Sequence, residues 1–124
     1  MNKAYAFVYG TLMKNHRNHG YMTDAIYIAN GVIDGYEIYD LGTYPGIIDG
    51  VGSVYGEVYQ ITSEIEEKLD WLEEEGDLYL KRDENVRLDN GQSVVAKVYV
   101  YNKSVEGCRK LDGKYEVVNA LSRK

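Results

Sequence analysis

Three short stretches hold residues whose types and spacing can do chemistry. The first is Tyr9-Gly10-Thr11-Leu12, where the strand-like run "FVYGTLM" turns through a glycine and a hydroxyl residue. A glycine lets backbone approach a ligand closely, and consecutive N–H groups at such a corner can cup a carboxylate or an oxyanion. An ordinary strand-to-loop turn uses the same residues. The second is Glu73 in "LDWLEEEG". At about 100° per residue it sits at the edge of an apolar helical stripe, where a carboxylate can be partly desolvated and tuned as a general base. The alternative is one more solvated glutamate, and the run Glu73-Glu74-Glu75 leaves Glu74 or Glu75 open as the base. The third is "HRNH", with His16 and His19 spaced i, i+3. A zinc site needs three or four ligands, the sequence has only these 2 histidines, and its 1 cysteine, Cys108, stands far off in the chain, so no metal is expected. Cys108 has no evident cationic or histidine neighbour to activate it as a nucleophile.

These stretches must be positioned by a fold, and the pattern of the 124 residues reads as one domain, 1–124. "KAYAFVYG" is a strand and "MKNHRNHGY" an irregular connection or a single helical turn. "DAIYIANGVIDGYEIYDLG" alternates between glycines, as two short strands or one bent strand with a bulge. Pro45 falls in the turn "TYPGI", and "GSVYGEVYQI" is the next strand. In "TSEIEEKLDWLEEE" the period changes: Ile65, Leu69 and Leu72 recur at helical spacing. Ser63 with Glu66 suggests a capping box, and Gly76 suits the stop. "ENVRL" and "SVVAKVYVYN" follow, joined by the hairpin signal "DNG". The tail "SVEGCRKLDGKYEVVNALSRK" reads as a turn plus a short closing helix. Mostly antiparallel strands with one helix give an α+β fold, its sheet curled into a small barrel around that helix.

Composition narrows the partners. A net charge of −6 repels phosphate backbones and anionic lipid, so neither nucleic acid nor membrane is expected as a partner. No stretch approaches the roughly 18 apolar residues that span a bilayer, and the start "MNKAYAFVYG" lacks a signal-peptide core. The lone Cys108 fits a reducing cytoplasm. The 13 tyrosines suit strands that line a half-polar cavity, since each ring carries a polar tip, though tyrosine is also simply a good strand former.

In order and spacing, "FVYGTLM", "LGTYPGIIDGVGSVYGEVYQI" and "LDWLEEEGDLYLKR" resemble three blocks of the gamma-glutamylcyclotransferase-like family. The resemblance covers most of the chain and implies that family's small mixed, barrel-like sheet with a cavity. It implies that Tyr9, Gly10, Thr11 and Leu12 bind a glutamyl group, joined by Tyr79, and that Glu73 is the acid/base. The implied reaction releases 5-oxoproline and an amine from a small gamma-glutamyl compound, without cofactor and in a monomer. A barrel that binds an amino-acid derivative without turning it over is the competing reading. One position departs from the family: Lys81 stands where an arginine is common.

Overall fold

The computed structural model describes residues 4–115. Five long strands form its frame: β1 (Ala4–Val8), β2 (Ile26–Asp40), β3 (Pro45–Ile61), β4 (Tyr79–Leu88) and β5 (Ser93–Tyr101). A short β6 (Arg109–Lys110) adds to the end of β2, and the one α-helix, α1 (Ser63–Leu72), links β3 to β4. The sheet runs β3-β1-β5-β4-β2-β6, and β3 also pairs with β2, which closes the five long strands on themselves. Every pairing is antiparallel except β1 with β5, so the barrel-like sheet is mixed. The core fills it with Phe7, Ile33, Ile38, Ile47, Val54, Val58, Val86 and Val98, all nearly inaccessible to solvent.

The glycine-punctuated segment is one bent strand. Ala29, Gly31 and Ile33 face inward, then Tyr36 and Ile38 do, so the alternation slips by one residue at the register shift between Asp34 and Tyr36. Gly35 takes φ +87° there, a conformation that costs a residue with a Cβ.

Four boundaries differ from the sequence reading. Pro45 opens β3 instead of sitting in the turn, a position where its missing N–H removes no ladder bond. The turn itself is closed by the Leu41 N–H donating to the Tyr44 carbonyl (2.9 Å). β4 begins at Tyr79, well before "ENVRL", because β5 is long enough to pair with all of it, from Tyr79 with Tyr101 to Arg87 with Ser93. The helix cap is Thr62, not Ser63: Thr62 is extended (φ −94°, ψ 167°) and its hydroxyl accepts the Ile65 N–H at 3.1 Å. That places Ile65, not Glu66, at the third helical position, so only half of a capping box exists. Thr62→Ala is expected to cost about 1 kcal/mol in urea unfolding, and Ser63→Ala much less. Finally, α1 ends at Leu72, before Gly76, which leaves Glu73 as the C-cap (φ −87°, ψ 1°) rather than a residue of the helical face. Glu74 follows in the left-handed region at φ 49°.

β6 and the turns around it account for the described part of the tail. The expected closing helix falls on residues 116–124, outside the described residues. No helix among the described residues is long and apolar enough to cross a membrane.

Candidate functional site

The end of β1 and the end of α1 meet across a narrow cavity. Phe7, Val8, Tyr9, Gly10, Thr11 and Leu12 line it from the first element, and Glu73 from the second. Tyr44 and Pro45, Tyr79 and Tyr99 complete the lining from the β2–β3 turn, β4 and β5. Every residue that the sequence singles out as catalytic or substrate-binding therefore borders one space.

Glu73 is held there by the last turn of the helix. Its N–H donates to the Leu69 carbonyl at 2.9 Å, and Leu69 is fully buried. The Glu73 side chain is half-buried, and burial pushes its carboxyl up from 4.5 to about 7. No described group donates a hydrogen bond to that carboxylate. Glu74 and Glu75 are exposed, and neither lines this cavity, although Glu74 stands at its outer rim. Glu75 instead accepts the Lys81 N–H (3.2 Å).

The tyrosine hydroxyls are already engaged. Tyr9 donates to the Tyr99 carbonyl (2.7 Å), Tyr79 to the Pro45 carbonyl (2.7 Å) and Tyr99 to the Asp70 carboxylate (2.6 Å). Desolvation, with the charge of Glu73 adding to it for Tyr9 and Tyr79, holds these phenols far above their ordinary range, so they stay neutral donors. Their rings make an aromatic wall, and Tyr79 stacks edge-on to Tyr101 at 5.4 Å between centroids. Tyr79 thus contributes a ring face to the cavity while its hydroxyl ties β4 to the Pro45 turn.

Lys81 has its own use. Its ammonium bridges Glu66 (2.6 Å) and Asp70 (2.9 Å) on α1, and the other Asp70 oxygen takes the Tyr99 hydroxyl. A single ammonium can serve two carboxylates at one point, where an arginine fork would favour one of them in bidentate fashion.

Gly10 plays a part that the sequence reading did not foresee. A Cβ there would lie 2.5 Å from Cγ and 2.8 Å from Cδ of Pro45. The missing side chain thus admits the proline ring, and close packing of two loops is the physical reason for glycine. The carbonyls of Gly10 and Thr11 accept from the amides of Met13 (3.0 Å) and Asn18 (2.9 Å). Among the described residues no acceptor faces the N–H groups of Thr11 and Leu12.

The histidine pair does not converge. His19 Nδ1 lies 2.9 Å from the Leu12 carbonyl, while the His16 ring lies against Tyr115 with centroids 5.6 Å apart. Among the described residues no group of three or more His, Cys, Asp and Glu side chains is placed to hold a metal ion. Sequence reasoning missed Tyr44, Pro45 and Tyr99 as lining residues. Pro45 had a signal, as the only proline in the chain, but Tyr99 is one of 13 tyrosines and nothing local distinguishes it.

A small closed mixed barrel with a desolvated carboxylate facing a free-amide loop is the class defined by this architecture. A family model described as "Gamma-glutamyl cyclotransferase, AIG2-like" matches residues 6–117. The gamma-glutamylcyclotransferase family protein ytfP of Citrobacter rodentium is 39% identical over 101 residues, which cover 82% of this chain and 84% of that protein. The solution structure of ytfP from Escherichia coli aligns with a TM-score of 0.69 and 34% identity, covering 91% of this chain and 96% of its own. An AIG2-like protein from Mus musculus aligns with a TM-score of 0.84 over 98% of this chain and 93% of its own; at 22% identity that likeness concerns the fold. The chain belongs to the AIG2-like gamma-glutamylcyclotransferase family.

Proposed function

We propose that this protein is a gamma-glutamylcyclotransferase that converts a gamma-glutamyl amine, or a related small gamma-glutamyl compound, into 5-oxoproline and the free amine. The observation that carries this reading is the pairing of Glu73 with the Tyr9–Leu12 loop on one cavity: a carboxyl tuned to about 7 beside amides with no protein acceptor.

In the ionised form Glu73 takes a proton from the alpha-ammonium of the substrate. The freed amine attacks the gamma-carbonyl carbon of the same molecule, forming the C–N bond of a five-membered ring and an oxyanion. The loop N–H groups stabilise that oxyanion. When it collapses, the original amide C–N bond breaks and Glu73 returns its proton to the departing nitrogen. The second proton shed by the ring nitrogen leaves with the amine as its ammonium form, so the reaction consumes no water. Nucleophile and electrophile share one molecule, and holding the folded conformer lowers the barrier further. Proton transfer and oxyanion stabilisation are the only demands of this chemistry, and the chain's own residues meet both without a metal or organic cofactor. Tyr9, Gly10, Thr11, Leu12 and Tyr79 shape the glutamyl pocket, the tyrosines through their ring faces.

The test is release of 5-oxoproline from a panel of gamma-glutamyl amines and dipeptides by purified protein. Release from at least one donor is expected. Binding of these compounds without release, by calorimetry, would replace the enzyme by a binding module on the same fold.

A further inference from the structure

The "HRNH" stretch, of no use as a metal pair, touches the loop through its last two residues. The Asn18 N–H donates to the Thr11 carbonyl, and Asn18 Nδ2 donates to Thr11 Oγ1, both at 2.9 Å. His19 Nδ1 lies 2.9 Å from the Leu12 carbonyl, and since a carbonyl only accepts, that nitrogen carries the proton. The Met13 N–H takes the Gly10 carbonyl. Three successive carbonyls are thereby drawn back toward the connector, which leaves the loop to present its donors.

The side-chain bond has a sharper consequence. A hydroxyl has one proton to give, and an amide nitrogen such as Asn18 Nδ2 can only donate. Thr11 Oγ1 must therefore accept from Asn18, and its own proton must point elsewhere. Thr11 is buried (8% exposed), lines the cavity with Glu73, and its hydroxyl donates to no described group. A buried donor without a partner is costly, and a substrate oxygen in the cavity is the acceptor it lacks.

We propose that Asn18 is a positioning residue that fixes the Thr11 hydroxyl as a hydrogen-bond donor to the acyl oxygen of the substrate. The inference rests on the cyclotransferase reading and deepens it. Among the described residues the Asn18 side chain hydrogen-bonds only to Thr11, while its backbone carbonyl accepts the Tyr21 N–H at 3.1 Å, so a side-chain substitution acts on catalysis through that hydroxyl.

A double-mutant cycle on kcat/KM tests this. Asn18→Asp keeps the shape but presents an acceptor, so the Thr11 proton turns back toward it and away from the substrate. Loss of one oxyanion donor typically lowers the rate about 10²- to 10³-fold, and Thr11→Val and Asn18→Asp are each expected to approach that. The double variant should then be within about three-fold of Thr11→Val alone, because the hydroxyl can be lost only once. Thr11→Ser, which keeps the hydroxyl but gives up a methyl that lines the pocket, should lose far less than Thr11→Val and remain sensitive to Asn18→Asp. Asn18→Ala closes the same cycle without adding a charge, and serves if Asn18→Asp does not fold. Losses that multiply in the double variants, or Asn18→Asp with wild-type kcat/KM, would overturn the role of Asn18 while leaving the cyclotransferase reading in place. A wild-type protein inactive on every gamma-glutamyl donor would remove both.

Discussion

Glu73→Gln is expected to lower turnover by about 10²- to 10⁴-fold with the fold intact, the usual contribution of a general base. Gln keeps the volume and reach of Glu but cannot take the alpha-ammonium proton. Glu74→Gln and Glu75→Gln are the matched controls: both side chains are exposed outside the inner cavity, and both variants should stay within a few-fold of wild type. Inactivity of either control with an active Glu73→Gln would move the base to that residue. The pH dependence follows from the same carboxyl. Wild-type kcat/KM should climb as pH rises through about 7, where Glu73 becomes a carboxylate. Stability should move the other way. Near pH 4 the carboxyl is protonated in both folded and unfolded chains and costs nothing. From about 4.5 upward the unfolded chain ionises while the folded one holds its proton, so stability falls until the folded carboxyl also ionises at about 7. Above that pH the penalty is complete, and Glu73→Gln should be more stable than wild type by on the order of 1–3 kcal/mol. Near pH 4 the two should melt together. Urea titrations at the two pH values check this, and equal stability at both would mean that the carboxyl is not desolvated.

The parts of the site legible in the sequence are those set by local chemistry. Ile65 and Leu69 at helical spacing announce α1 and put a glutamate at its end, and the Gly-Thr corner announces the end of β1. Alternation likewise reveals every long strand, because one face of each meets the core. What the sequence hides is decided by partners distant in the chain. Tyr99 reaches the cavity because β5 lies parallel to β1, with Lys97 opposite Ala6, and no pattern within β5 encodes that neighbour. The start of β4 depends on the length of β5, and Pro45 is a strand residue only because Asp40 lies across from it. The cap went to Thr62 over Ser63 because two adjacent hydroxyl residues compete and backbone geometry decides. Asn18 and His19 reveal themselves only once the connector folds back on the loop, which turns an apparent metal motif into a clamp on two carbonyls, those of Thr11 and Leu12.

Gly10→Ala should give the second large effect, on stability and catalysis together. Gly10 does not have a positive φ, so alanine suits its backbone, and any loss must come from contact. That contact is severe: a methyl would sit 2.5 Å from Cγ and 2.8 Å from Cδ of Pro45. The proline ring cannot swing aside, and its carbonyl is held at 2.7 Å by the Tyr79 hydroxyl inside the core. Either the Tyr9–Leu12 loop or the Tyr44–Pro45 turn must move. Overpacking of this kind costs about 1–3 kcal/mol, a fall in Tm of roughly 3–15 °C for a domain of this size. Because both segments line the cavity, the shift also spoils the approach of loop and carboxylate, and a displacement near 1 Å can cost about 10²-fold in rate. Gly20→Ala is the control, since a Cβ there meets nothing within 4 Å, and it should leave stability within about 0.5 kcal/mol. The decisive variant is the pair Gly10→Ala with Pro45→Ala. Removing the ring opens the space that the new methyl needs, so the double variant should be more stable than the sum of the two single losses allows. If Gly10→Ala instead melts like wild type and loses only substrate affinity, the glycine is there for the ligand and the packing explanation fails.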